Sequence, residues 1–201
     1  MTNVRELFGD IDIYLFDQIL KNRFVADSSI LDAGCGGGRN LIYFLRSGYE
    51  VFGIDQNAQA IEQVKHFAAS LASDLPPANF QVSLVEKMPF PNERFDMVIS
   101  SAVLHFAHDE EQFHSMVKEM WRVLKPGGLF FARLASDIGI EERVTNIEGR
   151  RYLLPDGSER FLVDEEMLIA VTNDLGGNWL EPLKTTNVQN LRCMTTWVLR
   201  K

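Results

Sequence analysis

The chain of 201 residues is 46% apolar and carries a formal net charge of -8 at pH 7. This length suffices for one good-sized hydrophobic core, so we expect a single domain over residues 1–201. Because the acidic balance provides no diffuse positive field for a phosphate backbone, nucleic acid is not an expected partner.

Cysteine content and hydropathy indicate the compartment. Cys35 and Cys193 are the only cysteines, and they have neither metal-ligand spacing nor the number needed for a disulfide framework. The chain contains no run of 18 apolar residues, and its first ten residues lack a basic and apolar leader pattern. We expect a cytoplasmic protein without metal or membrane contact, and the sequence leaves a monomer and a homodimer open.

The first 24 residues have apolar side chains at helical spacing, from Val4 to Leu20. This pattern predicts one or two amphipathic helices within a cap over residues 1–28. Packing against the edge of a sheet is the favoured interpretation of the cap.

A glycine-rich turn follows the first predicted strand, Ile30 to Ala33. Glycines occupy positions 34, 36, 37 and 38, and an apolar helical pattern then continues to Gly48. Because glycine lacks a Cβ atom and adopts positive φ angles, such a turn lets a ligand contact the main chain.

The next predicted strand, Glu50 to Ile54, ends in Asp55, about 20 residues past the turn. In βαβ folds a carboxylate at this place meets the ribose hydroxyls of a nucleoside cofactor. A nucleoside is therefore the expected ligand, with Gln56 beside the ribose.

The spacing of the glycines decides between nucleosides. A dinucleotide fingerprint aligned from Gly34 needs a third glycine where the chain has Arg39. The stretch instead resembles the first motif of the class I S-adenosylmethionine-dependent methyltransferases, an acidic residue followed by xGxGxG, with Asp32 as the acidic residue. Other segments that resemble this family lie in order between residues 30 and 135: Met88 to Pro91, Phe95 to Ile99 and Trp121 to Gly128.

The resemblance implies an α/β fold, a Rossmann-like doubly wound, mostly parallel sheet with helices on both faces and an antiparallel C-terminal strand pair. It implies S-adenosylmethionine as cofactor and S-adenosylhomocysteine as product. The expected cofactor-binding residues are Asp32, Gly34, Cys35, Gly36, Gly38, Asn40, Asp55, Gln56, Leu84, Val85, Ser100 and Ser101. In similar enzymes an N-terminal helix covers the cofactor, for which Tyr14 and Arg5 are candidates, although plain packing is favoured.

One position departs from the family pattern. Many relatives carry an acidic residue that binds the adenine amino group where this chain has Leu84, just past the strand predicted from Phe80 to Val85. Adenine recognition is then expected from the backbone of Val85, from Ser83 or Glu86, or from Gln56.

The loop after the strand Phe95 to Ser100 bears on the acceptor, because ligands of open α/β sheets lie outside the carboxyl ends of strands. The family members that methylate amino groups of bases have an Asn/Asp-Pro-Pro-aromatic tetrad here, and this chain has Ser100 to Val103 instead. A small-molecule acceptor is therefore favoured. His105 in this loop is a candidate general base, with a packing role as the alternative, and His108 is expected to belong to a helix-capping box of Asp109 and Gln112.

The second half of the chain is predicted to form a helix (Glu110 to Leu124), a strand (Leu129 to Leu134), a helix (Asp164 to Leu175) and two strands (Trp179 to Val188 and Arg192 to Leu199). In the first of these helices the apolar residues Phe113, Met116, Val117, Met120, Val123 and Leu124 make a continuous stripe, which core packing explains. Arg133 either extends to the end of the sheet or meets a substrate anion. Residues 135–163 are expected to form an insertion with a hairpin around Pro155 to Ser158. As a lid it could supply Arg143, Arg150, Arg151 or Tyr152 to a substrate.

The leading hypothesis is in-line methyl transfer from S-adenosylmethionine to a small molecule. Within the family, the chain most resembles small stand-alone bacterial enzymes, with a weaker likeness to tellurite-resistance methyltransferases. A noncatalytic S-adenosylmethionine-binding module is the first alternative, kept open by Leu84 at the acidic position. A nicotinamide-dependent oxidoreductase is the second, which Arg39 opposes.

Overall fold

A computed structural model describes residues 3–25 and 27–201. The α-helices are α1 (Val4–Phe8), α2 (Ile13–Leu20), α3 (Ile42–Arg46), α4 (Ala58–Leu71), α5 (Glu110–Val123) and α6 (Glu165–Asp174). The strands are β1 (Ser29–Ala33), β2 (Glu50–Asp55), β3 (Phe80–Val82), β4 (Phe95–Ser101), β5 (Leu124–Ser136), β6 (Thr145–Glu148), β7 (Arg151–Leu153), β8 (Glu159–Phe161), β9 (Asn178–Trp179), β10 (Lys184–Val188) and β11 (Arg192–Arg200). Among the described residues, no helix is both long enough and apolar enough to cross a membrane.

The main sheet has the strand order β10-β11-β5-β4-β1-β2-β3, with β9 paired to β11. The strands β5, β4, β1, β2 and β3 are parallel, and β11 runs antiparallel to both β5 and β10. Every residue of β1 is buried, as expected for a central parallel strand with both faces covered. The mostly parallel sheet with an antiparallel C-terminal pair is confirmed.

Helices cover both faces of this sheet and divide the core into two layers. One layer packs α5 and α6 against the sheet through side chains such as Phe113 and Leu168. The other packs α2, α3 and α4 through Leu15, Phe44 and Val64. The apolar stripe predicted along α5 is buried throughout, at Phe113, Met116, Val117, Met120 and Val123.

Two N-terminal helices pack as the helical pattern predicts. The ring of Phe8 from α1 stacks on that of Tyr43 in α3 at 5.3 Å between centroids, and α2 buries Leu15 and Ile19. Of the predicted cap, residues 1, 2 and 26 lie outside the described residues.

The predicted hairpin around Pro155 to Ser158 is present as β7 and β8, which pair antiparallel. β6 adds a third strand that the sequence did not indicate, so the segment forms a small sheet of its own. A separate apolar cluster of Ala135, Leu154 and Leu162 joins this small sheet to the end of β5. The insertion is therefore fixed beside the carboxyl end of the main sheet.

Three predicted strand boundaries are wrong, and the backbone explains two of them. The predicted strand through Val85 ends at Val82, because its partner β2 ends at Asp55; the Ser83 amide makes the last hydrogen bond to the Asp55 carbonyl, at 3.0 Å, and the chain then turns. The strand predicted from Trp179 to Val188 is divided into β9 and β10 around Pro182, which lacks an amide donor for the ladder. β5 begins at Leu124 rather than Leu129.

Candidate functional site

A cleft of about 700 Å³ opens at the carboxyl ends of the parallel strands. This volume lies within the range of roughly 300–1,000 Å³ that is usual for small-ligand sites. Half of the twelve predicted cofactor-binding residues line it, namely Gly34, Gly36, Asp55, Gln56, Leu84 and Val85. These six residues, from three separate segments of the chain, therefore meet around one cavity.

The glycine turn forms one wall of the cleft, and its glycines differ in what they permit. Gly34 has φ of +85°, and a Cβ atom there would lie 2.5 Å from Cγ2 of Val103. Gly36 has φ of +50°, and a Cβ atom there would have no neighbour within 4 Å among the described residues. Gly34 therefore allows the turn to pack against the loop after β4, whereas Gly36 leaves open space at the cleft.

The Asp55 carboxylate is held in one orientation by two backbone donors. Its Oδ2 accepts a hydrogen bond from the amide of Gly36 at 2.9 Å, and its Oδ1 accepts one from Asn57 at 2.8 Å. Each oxygen keeps further acceptor capacity. The side chain at the end of β2 is thus preorganised to accept from a ligand.

Asp32 is a buried carboxyl group beneath the turn. It is 1% exposed, and its Oδ2 has no hydrogen-bond partner among the described residues. The pKa of Asp32 is raised to about 7, mainly by burial; the Arg39 guanidinium opposes this shift and the Asp55 carboxylate adds to it. Near neutral pH this group is poised to ionise when a cation approaches.

A polar network beside the cleft contains two of the predicted site residues. Asp12, the N-cap of α2, donates its amide to Oδ1 of Asn40 at 3.0 Å. Oδ2 of Asp12 accepts from Ser101 at 3.2 Å and from the Arg133 guanidinium at 3.0 Å. The side chains of Asn40 and Ser101 therefore tie the N-terminal helices to the sheet, and they do not line the cleft.

Arg133 and Tyr14 belong to the same network. The Arg133 guanidinium lies 5.3 Å from the centre of the Tyr14 ring, whose hydroxyl is 2.7 Å from that of Thr186. Tyr14 thus packs at this edge, Arg5 pairs with Asp10 at the surface, and a role of either residue over the cofactor stays a prediction.

The other predicted residues, Cys35, Gly38 and Ser100, do not line the cleft. The Cys35 side chain is buried against Gly53, and Gly38 packs closely against Val64 of α4. Ser100 is buried in β4, and its hydroxyl oxygen has no partner among the described residues. Burial also raises the pKa of the Cys35 thiol, which keeps it protonated.

His105 lies in the loop after β4, as predicted, yet its ring is turned away from the cleft. It is 6% exposed, and its Nδ1 accepts a hydrogen bond from the Ala135 amide at 3.2 Å. Burial lowers the pKa of His105 to about 4, and the nearby Arg160 guanidinium adds to the effect. The ring is therefore neutral at pH 7 with its proton on Nε2, which makes it a hydrogen-bond donor toward its surroundings.

The capping box predicted at α5 is confirmed. The Asp109 carboxylate accepts from the amide of Gln112 at 2.8 Å, and the Gln112 side-chain oxygen accepts from the amide of His108 at the same distance. This box fixes the first turn of α5 over the cleft.

A second cavity of about 350 Å³ adjoins the first. Ala102 and Phe106 line both cavities, and β8 and the start of β11 close the far side with Arg160 and Arg192. Ala102 has φ of +63°, an unusual value for a residue with a Cβ atom, which places backbone strain between the two cavities.

A third cavity, of about 450 Å³, lies at the opposite ends of the strands, where β4 and β5 begin, between Asp96 and Lys125. The two side chains form an ion pair there at 2.8 Å. Since ligands of open α/β sheets bind outside the carboxyl ends of strands, we do not assign a functional site to this end of the sheet.

Comparison with known proteins decides the family. The profile of a family described as a methyltransferase domain matches residues 31–132, about half of the chain. The chain belongs to the S-adenosylmethionine-dependent methyltransferase family. The family's cofactor is S-adenosylmethionine.

Curated relatives are methyltransferases of greater length. An uncharacterized methyltransferase from Synechocystis is 36% identical over 101 residues, which cover 50% of this chain and 44% of the relative. A ubiquinone biosynthesis O-methyltransferase from Methylobacterium is 29% identical over 153 residues, which cover 73% of this chain and 59% of the relative. This chain thus spans less than two thirds of the length of these relatives.

Solved methyltransferase structures share the fold. An S-adenosylmethionine-dependent methyltransferase from Methanosarcina mazei superposes with a TM-score of 0.74 at 23% identity, covering 91% of this chain and 96% of that chain. TehB from Haemophilus influenzae superposes with a TM-score of 0.69 at 20% identity, covering 96% of this chain and 63% of that one. At such low identity these comparisons establish the architecture alone.

The sequence did not indicate that the first turns of α5 line the cleft beside the loop after β4. Val103, Phe106, Gln112 and Met116 line it, together with Ala102 and His108. Met116 was assigned to the core stripe of α5, and Gln112 to capping alone. Both lie within two turns of the start of α5, and the capping box after the β4 loop was the signal that this helix begins at the cleft.

Proposed function

We propose that the chain transfers a methyl group from S-adenosylmethionine to a small-molecule acceptor. The observation that supports this best is the 700 Å³ cleft, where the glycine turn and the oriented Asp55 carboxylate lie beside a second, smaller cavity. The first cavity suits a nucleoside, and the second suits an acceptor.

The residues of the cleft fit this cofactor. Asp55 is suited to the ribose hydroxyls. Behind the turn, Oδ2 of Asp32 has no hydrogen-bond partner among the described residues and is a buried acceptor suited to the ammonium of the methionine moiety. Leu84, half exposed, and Val85 offer an apolar surface to the adenine ring from one side. Gly36 allows close approach of the backbone to the ligand.

The sulfonium of the bound cofactor supplies an activated methyl group, so the chain has mainly to align the acceptor and exclude water. Positioning of this kind contributes up to roughly 7–11 kcal/mol to a reaction barrier. Ala102 and Phe106 line both cavities, with Val103 beside them in the larger one, and this loop is placed to set the angle of approach. We infer that alignment by this loop is the chain's principal contribution to catalysis.

His105 is assigned a positioning role, since its Nδ1 is occupied by the Ala135 amide and its ring is neutral. His105→Ala is expected to slow labelled-methyl transfer by about tenfold while changing the affinity for S-adenosylhomocysteine by less than about twofold. His66→Ala, at an exposed site on α4, is the matched control. A turnover number governed by a basic group titrating near the ordinary histidine pKa would show instead that His105 acts as the base.

Cofactor affinity is expected to depend on pH through Asp32. Below about pH 7 the buried carboxyl is protonated in the free protein, and the ammonium of S-adenosylhomocysteine favours the ionised form. Binding should therefore weaken by about tenfold between about pH 8 and about pH 6. Titration calorimetry measures this slope, and Asp32→Asn should bind weakly with little change over the same range.

The unliganded fold should show the opposite dependence. The pKa of the Asp32 carboxyl is about 7 in the folded protein, and its ordinary value, expected in the unfolded chain, is 3.8. The folded form therefore binds the proton more tightly. The contribution of Asp32 to the stability of the free protein should grow as pH falls from about 7 toward about 4, and Asp32→Asn should remove that contribution. A wild-type affinity that does not change with pH would remove Asp32 from the proposed site.

The acceptor is proposed to be a small molecule because the cavity beside the cleft is about 350 Å³ and the chain is acidic. A cytoplasmic location is proposed from the two free, buried cysteines. Transfer of a labelled methyl group to members of an acceptor panel tests the activity, and it separates an enzyme from a noncatalytic binding module.

A further inference from the structure

The smaller cavity is lined largely by hydrogen-bond donors on its polar side. Arg133, Arg160 and Arg192 face it, and so do the neutral ring of His105, which carries its proton on Nε2, and the hydroxyl of Ser158. Three guanidinium groups around one small cavity are unusual in a chain whose net charge is -8. The local charge is therefore opposite in sign to that of the whole protein.

Two of these guanidinium groups already have carboxylate partners. Arg133 donates to Asp12 at 3.0 Å, and Arg192 lies 3.6 Å from the carboxylate of Asp156, the one acidic side chain that lines the cavity among the described residues. Asp156 also accepts from the amide and hydroxyl of Ser158. The hydrogen-bond-accepting oxygens of the cavity are thus largely occupied by donors from its own wall.

Arg160 differs from the other two. Within the described part of the chain no carboxylate lies within ion-pair distance of it, and one of its terminal nitrogens donates to the carbonyl of Glu159. The nearest acidic group is Asp156, whose carboxyl pKa is lowered mainly by its hydrogen bond from Ser158 and further by the charges of Arg192 and Arg160. Its guanidinium lies over the Phe106 ring, 5.0 Å from the centroid, at the residue shared with the cofactor cleft. The side chain is half-buried, so an anion bound there would be partly shielded from water.

Apolar side chains complete the cavity walls. Leu154, Val188 and Met194 line it beside Ala135. A ligand that fits must therefore offer an apolar body as well as a group that accepts hydrogen bonds from Arg160.

We propose that this cavity is the acceptor site and that it selects small molecules carrying an oxyanion, a carboxylate or a phosphate, which Arg160 binds beside the methyl-transfer loop. The proposal rests on the proposed function, because it assigns the acceptor of that same reaction. The planar guanidinium matches both oxyanions through two parallel hydrogen bonds, which a neutral ligand of similar shape cannot accept as strongly.

The test uses the full chain saturated with S-adenosylhomocysteine and three probes of similar shape, namely benzoate, phenyl phosphate and the neutral benzamide. Titration followed by NMR is expected to show binding of at least one anion and at least about tenfold weaker binding of benzamide. Arg160→Gln should weaken anion binding at least about tenfold. It should leave the affinity for S-adenosylhomocysteine unchanged.

Arg151→Gln is the matched control. Arg151 lies on the neighbouring strand β7, pairs with Glu159 and does not belong to the described wall of the cavity, so its loss should not change anion binding.

Equal binding of benzamide and the anions, equal losses in the two variants, or no anion binding up to millimolar concentration would overturn the oxyanion assignment while leaving the methyltransferase proposal intact. Failure of the wild-type chain to bind S-adenosylhomocysteine in the first step would overturn the proposed function itself. The carboxylate and phosphate probes together show which oxyanion the cavity prefers.

Discussion

Asp55→Ala is expected to bind S-adenosylhomocysteine at least about tenfold more weakly than the wild-type chain. Each charge-assisted hydrogen bond from a ribose hydroxyl to this carboxylate is worth roughly 1.5–3 kcal/mol, and about 1.4 kcal/mol corresponds to a factor of ten. The variant also releases the Gly36 amide that the carboxylate holds at 2.9 Å, which loosens the turn. Titration calorimetry measures the change directly.

Asp55→Asn provides the intermediate case. An amide side chain has one acceptor oxygen, so it can keep only one of the two contacts to Gly36 and Asn57 and has no charge. Its affinity should lie between those of the wild type and Asp55→Ala. If both variants are folded, as judged by thermal unfolding, and bind S-adenosylhomocysteine as tightly as the wild type, Asp55 does not contact the ribose.

Gly36→Ala is expected to lose most of the cofactor affinity, again at least about tenfold, with only a modest loss of stability. A Cβ atom there meets no atom of the described residues within 4 Å, because it would project into the space of the cleft that the ligand needs. The φ of +50° adds strain of about 1–2 kcal/mol for a residue with a Cβ atom.

Gly48→Ala separates strain from steric exclusion. Gly48 has φ of +78°, and an added Cβ atom there would likewise meet no atom of the described residues within 4 Å, yet this glycine lies after α3, away from the cleft. Both variants should lose similar stability in thermal unfolding, and only Gly36→Ala should lose cofactor binding. Equal cofactor affinity in the two variants would contradict the position of the ligand against the turn.

The parts of the fold that were predicted correctly are those whose signals are local. The glycine turn, the strand ending in Asp55 and the stripe on α5 each follow from spacing within one element. The β7–β8 hairpin likewise follows from its turn residues. Each of these elements could be assigned before any contact between elements was known.

The parts that were not predicted depend on contacts across the sheet. Asn40 was expected at the cofactor, but its side chain accepts from the Asp12 amide, 28 positions away in sequence. Arg133 could be matched with Asp12 only once β5 and the start of α2 were known to meet. Spacing along the chain carries no information about such pairs.

The candidate lid shows the same division between local and long-range signals. The hairpin was predicted, but the arginines singled out on it have other partners: Arg150 pairs with Asp164 at 2.8 Å, and Arg151 with Glu159. The arginine of the hairpin that lines the cavity is Arg160, which is paired with Tyr152 in register across the hairpin. Because side chains alternate along a strand, Arg151 and Arg160 lie on opposite faces of the hairpin. Only the packing of the small sheet against β5 shows which of these faces lines the cavity.

Parallel calorimetric titrations of the full chain with S-adenosylmethionine, S-adenosylhomocysteine and NAD test the central claim most directly. The structure and the family predict binding of both sulfur nucleosides at one site and no binding of NAD, since Arg39 occupies the position of the third glycine of a dinucleotide turn. Binding of NAD alone, or no binding of any of the three, would contradict the assignment of the cleft at Gly36 and Asp55.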